Sequence, residues 1–231
     1  MTLNFSYGDE ESRFEIFLSS IESNKTDELM QLEREAIEDD VPIIRRATQS
    51  LLRVILAAHR PGRILEIGAA VGFSALFMAE YDDDLKELIT IENYPPRIEA
   101  AKENFKKFKK EDLITLIERD AAEVLSELTG TFDLIFLDGP KAQYINFLPE
   151  LTRLLETGGI LVSDNVLKEG DILMPHYAIK KRDRTIHKRM REYLYELTHS
   201  ECFVTTILSA GDGTAISVKK DVKDDTPDGE M

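Results

Sequence analysis

The chain has few of the features that would mark a secreted, membrane-bound or metal-cluster protein. It contains one cysteine among 231 residues, which excludes an internal disulfide and a thiolate metal cluster. No apolar run approaches the length of a membrane-spanning helix, and the polar segment Met1 to Arg13 does not resemble a signal peptide. These absences predict a cytoplasmic protein that has no membrane partner.

Basic residues are also scarce. The 44 acids outnumber the 29 bases, and the formal charge of −15 argues against a protein that coats nucleic acid non-specifically. One segment departs from this balance. Lys180 to Arg191 carries seven basic residues against the single acid Asp183, which gives a local charge of +6.

Apolar runs of strand length and helix length alternate from residue 61 onward. The predicted strands are 63–67, 88–91, 114–118, 132–137, 159–163, 203–208 and 214–218, and the predicted helices are 73–81, 96–109, 121–129, 143–156 and 184–198. This alternation requires right-handed crossovers, so it predicts an α/β fold with a doubly wound, Rossmann-like, seven-stranded and mostly parallel sheet. Gly158 and Gly159 are predicted to end the helix 143–156. The turn 210–213 predicts a hairpin and an antiparallel last strand.

The first 60 residues predict a helical cap on this core. Apolar residues at helical spacing predict helices over 11–23 and 43–59, with a more acidic helix over 27–39 between them. We expect one domain over residues 1–220, with the cap at 1–60 and the core at 61–220. The polar tail 221–231, which contains Pro227 and Gly229, is expected to be disordered.

The first core strand is followed by a glycine loop, Gly68 to Gly72, whose spacing differs from two common nucleotide-binding loops. Residue 70 is alanine, so the dinucleotide pattern Gly-x-Gly-x-x-Gly is missing, and no Walker lysine follows. Glu66 precedes the loop and Glu92 ends the next strand; these carboxylates suit a cationic amino-acid group and ribose hydroxyls respectively. The pair indicates S-adenosyl-L-methionine. The alternative is a solvated Glu66 beside glycines that only make a turn.

Oxygen-bearing side chains follow two further strands at the same predicted edge of the sheet. Asp138 follows one strand, and Asp164 and Asn165 follow another. The carboxyl ends of neighbouring parallel strands converge, and two carboxylates with an amide suit Mg²⁺, although each acid alone is an ordinary cap. Lys141 is a candidate general base if like charge nearby lowers its pKa; a solvated surface lysine is the alternative.

Taken together, these motifs resemble the cation-dependent class I O-methyltransferases of the catechol and caffeoyl-CoA type. The resemblance is carried by Glu66 to Ser74, Thr90 to Glu92, Asp120 to Ala121, Phe136 to Lys141, and Ser163 to Val166. Within that group, the chain is most similar to bacterial tRNA 5-hydroxyuridine methyltransferases at Val41 to Ile43, Lys141 to Tyr144, Asp164 to Leu167, and Gly211 to Gly213.

The resemblance implies a role for individual residues. The methionine part of the cofactor is expected at Glu66, Gly68, Ala69 and Ser74, the ribose at Glu92, and the adenine at Asp120 and Ala121, with Ile44 against the cofactor from the cap. Mg²⁺ is expected at Asp138, Asp164 and Asn165. Asp138 also serves the cofactor and catalysis, and Lys141 assists deprotonation. The resemblance further implies a homodimer.

The substrate has two candidate classes. The basic segment predicts phosphate contacts with RNA, made by Arg182, Arg184, Lys188, Arg189 and Arg191. This favours 5-hydroxyuridine at the tRNA wobble position, whose 5-hydroxyl would attack the sulfonium methyl to give 5-methoxyuridine. A small catechol is the alternative acceptor, in which case the basic segment is a solvated helix face.

Overall fold

The computed structural model describes Phe17, Ser20, Ile21 and residues 25–221, without the side chains of residues 168 and 169. The predicted helix 11–23 and the predicted tail 221–231 therefore lie almost entirely outside the described residues. Within the described part of the chain, no helix combines the length and the hydropathy needed to cross a bilayer.

From residue 25 onward, two cap helices precede the sheet. Helix α1 spans Asp27–Glu38, and its first turn is closed by Thr26, whose hydroxyl accepts a 3.4 Å hydrogen bond from the Leu29 amide. Helix α2 spans Arg46–His59 and begins three residues later than predicted. Pro42 disfavours a helical conformation at Val41, and the chain stays non-helical from residue 41 to residue 45. This extended segment runs along the site described below.

The sheet contains the seven expected strands, in the order β3-β2-β1-β4-β5-β7-β6. The first five pair in parallel, while β7 is antiparallel to both β5 and β6. The predicted doubly wound sheet with an antiparallel last strand is thus confirmed. The strands are β1 Arg63–Ile67, β2 Glu87–Ile91, β3 Ile114–Ile117, β4 Phe132–Leu137, β5 Leu155–Ser163, β6 Phe203–Leu208 and β7 Thr214–Lys219.

Helices cover both faces of the sheet. The core helices are α3 Phe73–Tyr81, α4 Pro95–Lys107, α5 Ala121–Glu127, α6 Tyr144–Leu154 and α7 Arg184–His199. One buried cluster joins the sheet to α1, α2, α3 and α4, and a second joins it to α5, α6 and α7. Helix α3 is buried on nearly every side, which explains why its sequence shows no polar stripe.

The prediction for strand β5 was wrong at its start. Helix α6 ends at Leu154 and β5 begins at Leu155, so Gly158 and Gly159 lie inside the strand. The register between β4 and β5 shifts there, because Phe132 pairs with Leu155 while Leu134 pairs with Ile160. Gly158 lies in this irregular stretch with a φ of +80°, a left-handed conformation that glycine adopts without strain.

A long loop joins β5 to α7 and contains three short 3₁₀ turns, Lys168–Leu173, His176–Ala178 and Lys181–Asp183. Its first residues are tied to the β6–β7 turn. The Val166 and Leu167 amides donate 2.9 Å hydrogen bonds to the carbonyls of Gly213 and Asp212. These bonds hold the end of β5 against the hairpin.

Candidate active site

A cleft of about 630 Å³ opens at the carboxyl ends of β1, β2 and β4. Strand β1 is the switch point of the sheet, since β2 and β3 lie on one side of it and β4 and β5 on the other. Open α/β sheets usually bind their ligands at such a point. The lining includes residues that follow these strands and two from the cap: Gly68, Glu92, Asp138, Asn165, Pro42 and Ile43.

Glu92 organises the β2 side of the cleft. Its Oε1 accepts hydrogen bonds from the amides of Asn93 (2.9 Å) and Tyr94 (3.0 Å), and its Oε2 accepts one of 3.0 Å from the Ala70 amide. A carboxylate offers about four acceptor positions. Glu92 therefore holds the glycine loop and keeps capacity for one ligand hydroxyl.

Glu66 is fully buried on β1, which rules out the solvated alternative. Its Oε2 accepts a 2.5 Å hydrogen bond from the Thr90 hydroxyl. Burial raises the pKa of Glu66, and after the opposing effect of the Ser74 and Thr90 hydroxyls the pKa is about 7. Although Ser74 lies close enough to lower this pKa, Oε1 has no hydrogen bond of normal geometry within the described residues. An unmatched buried carboxyl oxygen fits a cationic amino group.

Only glycine fits at position 68, because of its backbone conformation and the close approach of Asp138. Its φ is +101°, and a Cβ there would lie 2.3 Å from the Asp138 carbonyl oxygen. The glycine thus brings the loop after β1 directly against the end of β4. As a result, Gly68 and Asp138 line the same cleft.

The remaining predicted cofactor residues divide between the cleft and the core. Asp120 and Ala121 line the cleft. Asp120 also caps α5, since its Oδ1 accepts a 2.9 Å hydrogen bond from the Ala122 amide. Ile44, Ala69 and Ser74 are buried, and the cap contributes Pro42 and Ile43 to the lining.

Two of the three predicted metal ligands, Asp138 and Asn165, meet in the cleft, while Asp164 is not among its lining residues. The amide group of Asn165 donates a 3.0 Å hydrogen bond to Asp138 Oδ1, and both residues line the cleft. Asn165 has a φ of 57°, a left-handed conformation that asparagine tolerates better than most residues. The structure thus joins two residues that lie 27 positions apart.

Asp164 is only 1% exposed and is held by two hydroxyl groups from distant elements. Its Oδ1 accepts hydrogen bonds from Thr48 on α2 (3.2 Å) and Thr214 on β7 (3.1 Å). Burial, and after it the negative charge of Asp138, raise the pKa of Asp164 to about 6. These two carboxylates therefore lie close enough to repel each other.

Lys141 lines this edge of the cleft, and the fully buried Tyr144 contacts it from the core. Lys141 Nζ lies 2.5 Å from Asp138 Oδ1 and 2.9 Å from the Tyr144 hydroxyl. That hydroxyl lies 3.0 Å from the Leu137 carbonyl and 3.2 Å from the Asp164 carbonyl. Burial raises the pKa of Tyr144 well above its ordinary value, so the phenol stays neutral and can donate to these carbonyls. Lys141 is thus fixed in the cleft.

The chemistry of this donor set fits a hard divalent cation. Within the described residues, no group of three or more His, Cys, Asp or Glu side chains is placed to hold a metal. A cation would therefore depend on two carboxylates and one amide oxygen, a set that suits Mg²⁺. The repulsion between Asp138 and Asp164 is what such a cation would relieve.

The predicted RNA-contacting residues fall into two groups. Three arginines donate hydrogen bonds to loop carbonyls: Arg184 to Ile179 and Tyr177, Arg189 to Ala142, and Arg191 to Ile172. The side chains of Arg182 and Lys188 are 80% and 70% exposed and form ion pairs with Asp183 and Glu192. The segment therefore both braces the loops beside the cleft and presents positive charge to solvent.

Sequence reasoning missed three residues of this site. Tyr144 is buried, yet its hydroxyl contacts Lys141. Their spacing of three residues was the available signal. Thr48 and Thr214 lie 116 and 50 positions from Asp164 in the sequence, and no local sequence pattern predicts contacts over such separations.

Comparison with known proteins agrees with this geometry. A family model described as O-methyltransferase matches residues 19–220. The chain is 31% identical over 123 residues to the catechol O-methyltransferase of Mycobacterium tuberculosis, and 32% identical over 158 residues to the O-methyltransferase ankF of Aspergillus thermomutatus. These matches cover 53% and 66% of this chain, and 56% and 64% of the two relatives. The chain thus spans rather more than half the length of these relatives.

A solved structure extends the comparison over almost the whole chain. The SAH-bound methyltransferase PaMTH1 of Podospora anserina matches with a TM-score of 0.83 at 27% identity. The match covers 96% of this chain and 100% of that one. The two proteins therefore share the seven-stranded fold described above.

Proposed function

Because the chain belongs to the O-methyltransferase family, we propose that it transfers a methyl group from S-adenosyl-L-methionine to a substrate hydroxyl with Mg²⁺ as the cation. We propose further that the acceptor is 5-hydroxyuridine at the tRNA wobble position and the product 5-methoxyuridine. The observation that carries the reaction class is the meeting of Asp138, Asn165 and Lys141 in the cleft that Glu92 also lines.

Several contacts support S-adenosyl-L-methionine as the methyl donor. Glu66 offers a buried carboxyl to the amino group, and Glu92 keeps one acceptor position for a ribose hydroxyl. Asp120 and Ala121 lie further along the same cleft, at the start of α5. The PaMTH1 structure holds SAH, the product that remains after a methyl group has left this donor.

The acceptor hydroxyl must be positioned and deprotonated. Asp138, Asp164 and Asn165 would hold Mg²⁺, which when bound lowers the pKa of a hydroxyl in contact with it. Lys141 Nζ, in its neutral amine form, would accept the proton and become an ammonium, and Asp138 and Tyr144 fix its position. Orientation of this kind contributes up to about 7–11 kcal/mol in well-aligned systems.

The basic segment supports RNA as the substrate. Arg182 and Lys188 are strongly exposed on a chain whose overall charge is −15. The side chain of Tyr177, in the loop before them, is exposed as well, and aromatic rings of this kind stack on unpaired bases. A tRNA substrate implies a cytoplasmic location.

A small catechol is the second candidate acceptor. The names of two relatives favour it, the catechol O-methyltransferases of Mycobacterium tuberculosis and Niastella koreensis. A catechol presents two neighbouring oxygens, as do the 5-hydroxyl and adjacent carbonyl of 5-hydroxyuridine. The cleft chemistry alone therefore does not separate the two acceptors.

The decisive experiment offers both acceptors to one enzyme. Purified protein with labelled S-adenosyl-L-methionine is given tRNA that carries 5-hydroxyuridine, or catechol, each with Mg²⁺ or with EDTA. We expect Mg²⁺-dependent labelling of tRNA and its loss in the double variant Arg182→Glu, Lys188→Glu. The matched control is the double variant Lys106→Glu, Lys109→Glu, which reverses the charge of two exposed lysines on the opposite side of the core. Labelling of catechol alone would contradict the RNA proposal.

We also propose that the protein is a homodimer. Apolar side chains on the cap are exposed at Phe17, Ile21, Ile37 and Val54, at 59% to 66%. Exposed apolar patches of this kind often mark a contact with another chain. Light scattering after size exclusion tests the proposal, and a monomeric mass would contradict it.

A further inference from the structure

A second pocket, here called the histidine pocket, lies on the side of α7 that faces the preceding loop. Its volume is about 480 Å³, and it is lined by Met174, Pro175, His176, His187, Lys188, Arg191 and Glu192. It shares no lining residue with the catalytic cleft. Of its lining residues, only Lys188 and Arg191 have a role above, as predicted phosphate contacts, and the two histidines have none.

His187 gives this pocket an unused hydrogen-bond acceptor. The residue is 4% exposed, and its Nε2 lies 3.0 Å from the Met174 carbonyl oxygen. Because a carbonyl can only accept, Nε2 carries the hydrogen, and Nδ1 of the neutral ring is then an acceptor. Nδ1 has no hydrogen-bond partner among the described residues. Because Nδ1 has almost no solvent-accessible surface, a ligand that donates a hydrogen bond would satisfy it once a small movement of the ring brings it to the pocket.

The walls and rim of the pocket narrow the choice of ligand. The His176 ring lies 5.7 Å from the His187 ring, at 48° to it, and the residue is exposed. Lys188 and Arg191 bring positive charge, with Lys188 3.6 Å from the Glu192 carboxylate. A flat ring for stacking, a buried acceptor and two cations together suit a nucleotide, which offers a base, donor groups on its edge and a phosphate.

The histidine pocket is also close to the catalytic loop. Arg189, two residues after His187 on α7, donates a 3.0 Å hydrogen bond to the carbonyl of Ala142, the neighbour of Lys141. The pocket and the catalytic loop are therefore separated by about the width of one helix, roughly 10–12 Å. We propose that the histidine pocket holds a nucleotide flanking the acceptor, with its base edge donating to His187 Nδ1 and its phosphate at Lys188 and Arg191. This proposal rests on the proposed RNA substrate.

The test compares two substrates that differ in their flanking nucleotides. KM is measured for an anticodon stem–loop that contains 5-hydroxyuridine and for the free nucleoside, with wild type, His187→Phe and His176→Ala. We expect the ratio of the two KM values to rise on the order of ten-fold in His187→Phe. His199→Phe is the matched control, because this exposed histidine stacks on Tyr195 at the other end of α7.

Stem–loops that are abasic at either flanking position complete the test. If the pocket binds a base, removing the base at one of the two flanking positions raises KM for the wild type. The same removal causes no further rise in KM for His187→Phe. His176→Ala, at an exposed position, replaces His187→Phe if the latter does not fold. Two results would overturn the pocket proposal while the wild type still methylates the stem–loop: the ratio of KM values is unchanged in both variants, or the abasic and His187→Phe effects on KM are fully additive. Either result would leave the proposed RNA function unaffected. A wild type inactive on RNA refutes the proposed function itself.

Discussion

At the scale of single residues, the buried Glu66 makes folding depend on pH. Its pKa is raised from 4.5 to about 7, so the unfolded chain loses this proton at a lower pH than the folded chain. The folded protein therefore loses stability as the pH rises from about 4.5 to 7, and the loss persists above that range. A shift of this size corresponds to roughly 3 kcal/mol.

We expect ligand-free Glu66→Gln to unfold at a higher temperature than wild type near pH 8, with the difference shrinking towards pH 5. Calorimetry at the two pH values measures this, with Glu103→Gln on the exposed face of α4 as control. The variant should also bind S-adenosyl-L-methionine more weakly, as titration calorimetry would show. A difference in unfolding temperature that does not change with pH would contradict the role of burial.

Tyr144 is expected to act on turnover through Lys141. Tyr144→Phe keeps the ring in the core and removes the hydroxyl 2.9 Å from Lys141 Nζ. One lost hydrogen bond of this kind should lower kcat by roughly three- to ten-fold, with KM little changed. Tyr193→Phe is the control, because this tyrosine is equally buried and its hydroxyl forms a 2.6 Å hydrogen bond with the Ser163 hydroxyl instead of Lys141. Equal losses of kcat in the two variants would argue against a positioning role.

At the scale of elements, the β6–β7 turn holds the loop that carries Asn165. Gly213 and Gly158 have similar φ values, +85° and +80°. A Cβ at Gly213 would lie 2.2 Å from Leu167 Cγ, while a Cβ at Gly158 would have no neighbour within 4 Å in the part of the chain that the structure describes. We expect Gly158→Ala to cost about 1 kcal/mol of unfolding free energy and Gly213→Ala about 1–3 kcal/mol more. Urea denaturation measures both. Equal costs would show that the contact with Leu167 relaxes freely.

Helix α7 is expected to support catalysis through Arg189. Arg189→Ala removes the hydrogen bond to the Ala142 carbonyl, so the turn that carries Lys141 loses its brace. We expect kcat to fall several-fold with RNA and with the free nucleoside alike, and Arg189→Lys to restore part of it. Arg182→Ala, at a side chain that is 80% exposed, should instead raise KM for RNA only. If Arg189→Ala impaired the reaction with RNA only, Arg189 would be a phosphate contact and not a support of the turn that carries Lys141.

At the scale of the whole molecule, charge is distributed unevenly. The chain carries −15 overall, while residues 180–191 carry +6. We expect the logarithm of KM for tRNA to rise linearly with the logarithm of salt concentration, by roughly 0.7–0.9 per phosphate contact. Removing Lys188 should reduce that slope by about one contact. Steady-state kinetics over a salt series tests this, and a salt-independent KM for tRNA would contradict RNA docking at this surface.

The sequence determined those features that depend on neighbouring residues. The ends of β1, β4 and β6 and of helix α3 are as predicted, because apolar periodicity is a local property. The placing of Glu92, Asp138 and Asn165 at one cleft also followed, since parallel strands deliver their carboxyl ends to one edge. The start of β5 did not follow, because its bulge depends on the register with β4.

Only the tertiary structure decided which distant side chains meet. Thr48 and Thr214 hold Asp164, and Arg189 braces the turn that bears Lys141. The burial of Glu66 emerged in the same way, as did the lack of a hydrogen-bond partner for His187 Nδ1 within the described residues. A hydrogen bond forms only when two groups lie within about 3 Å of each other. The spacing of residues along a chain carries no information about that distance once the partners lie on different elements.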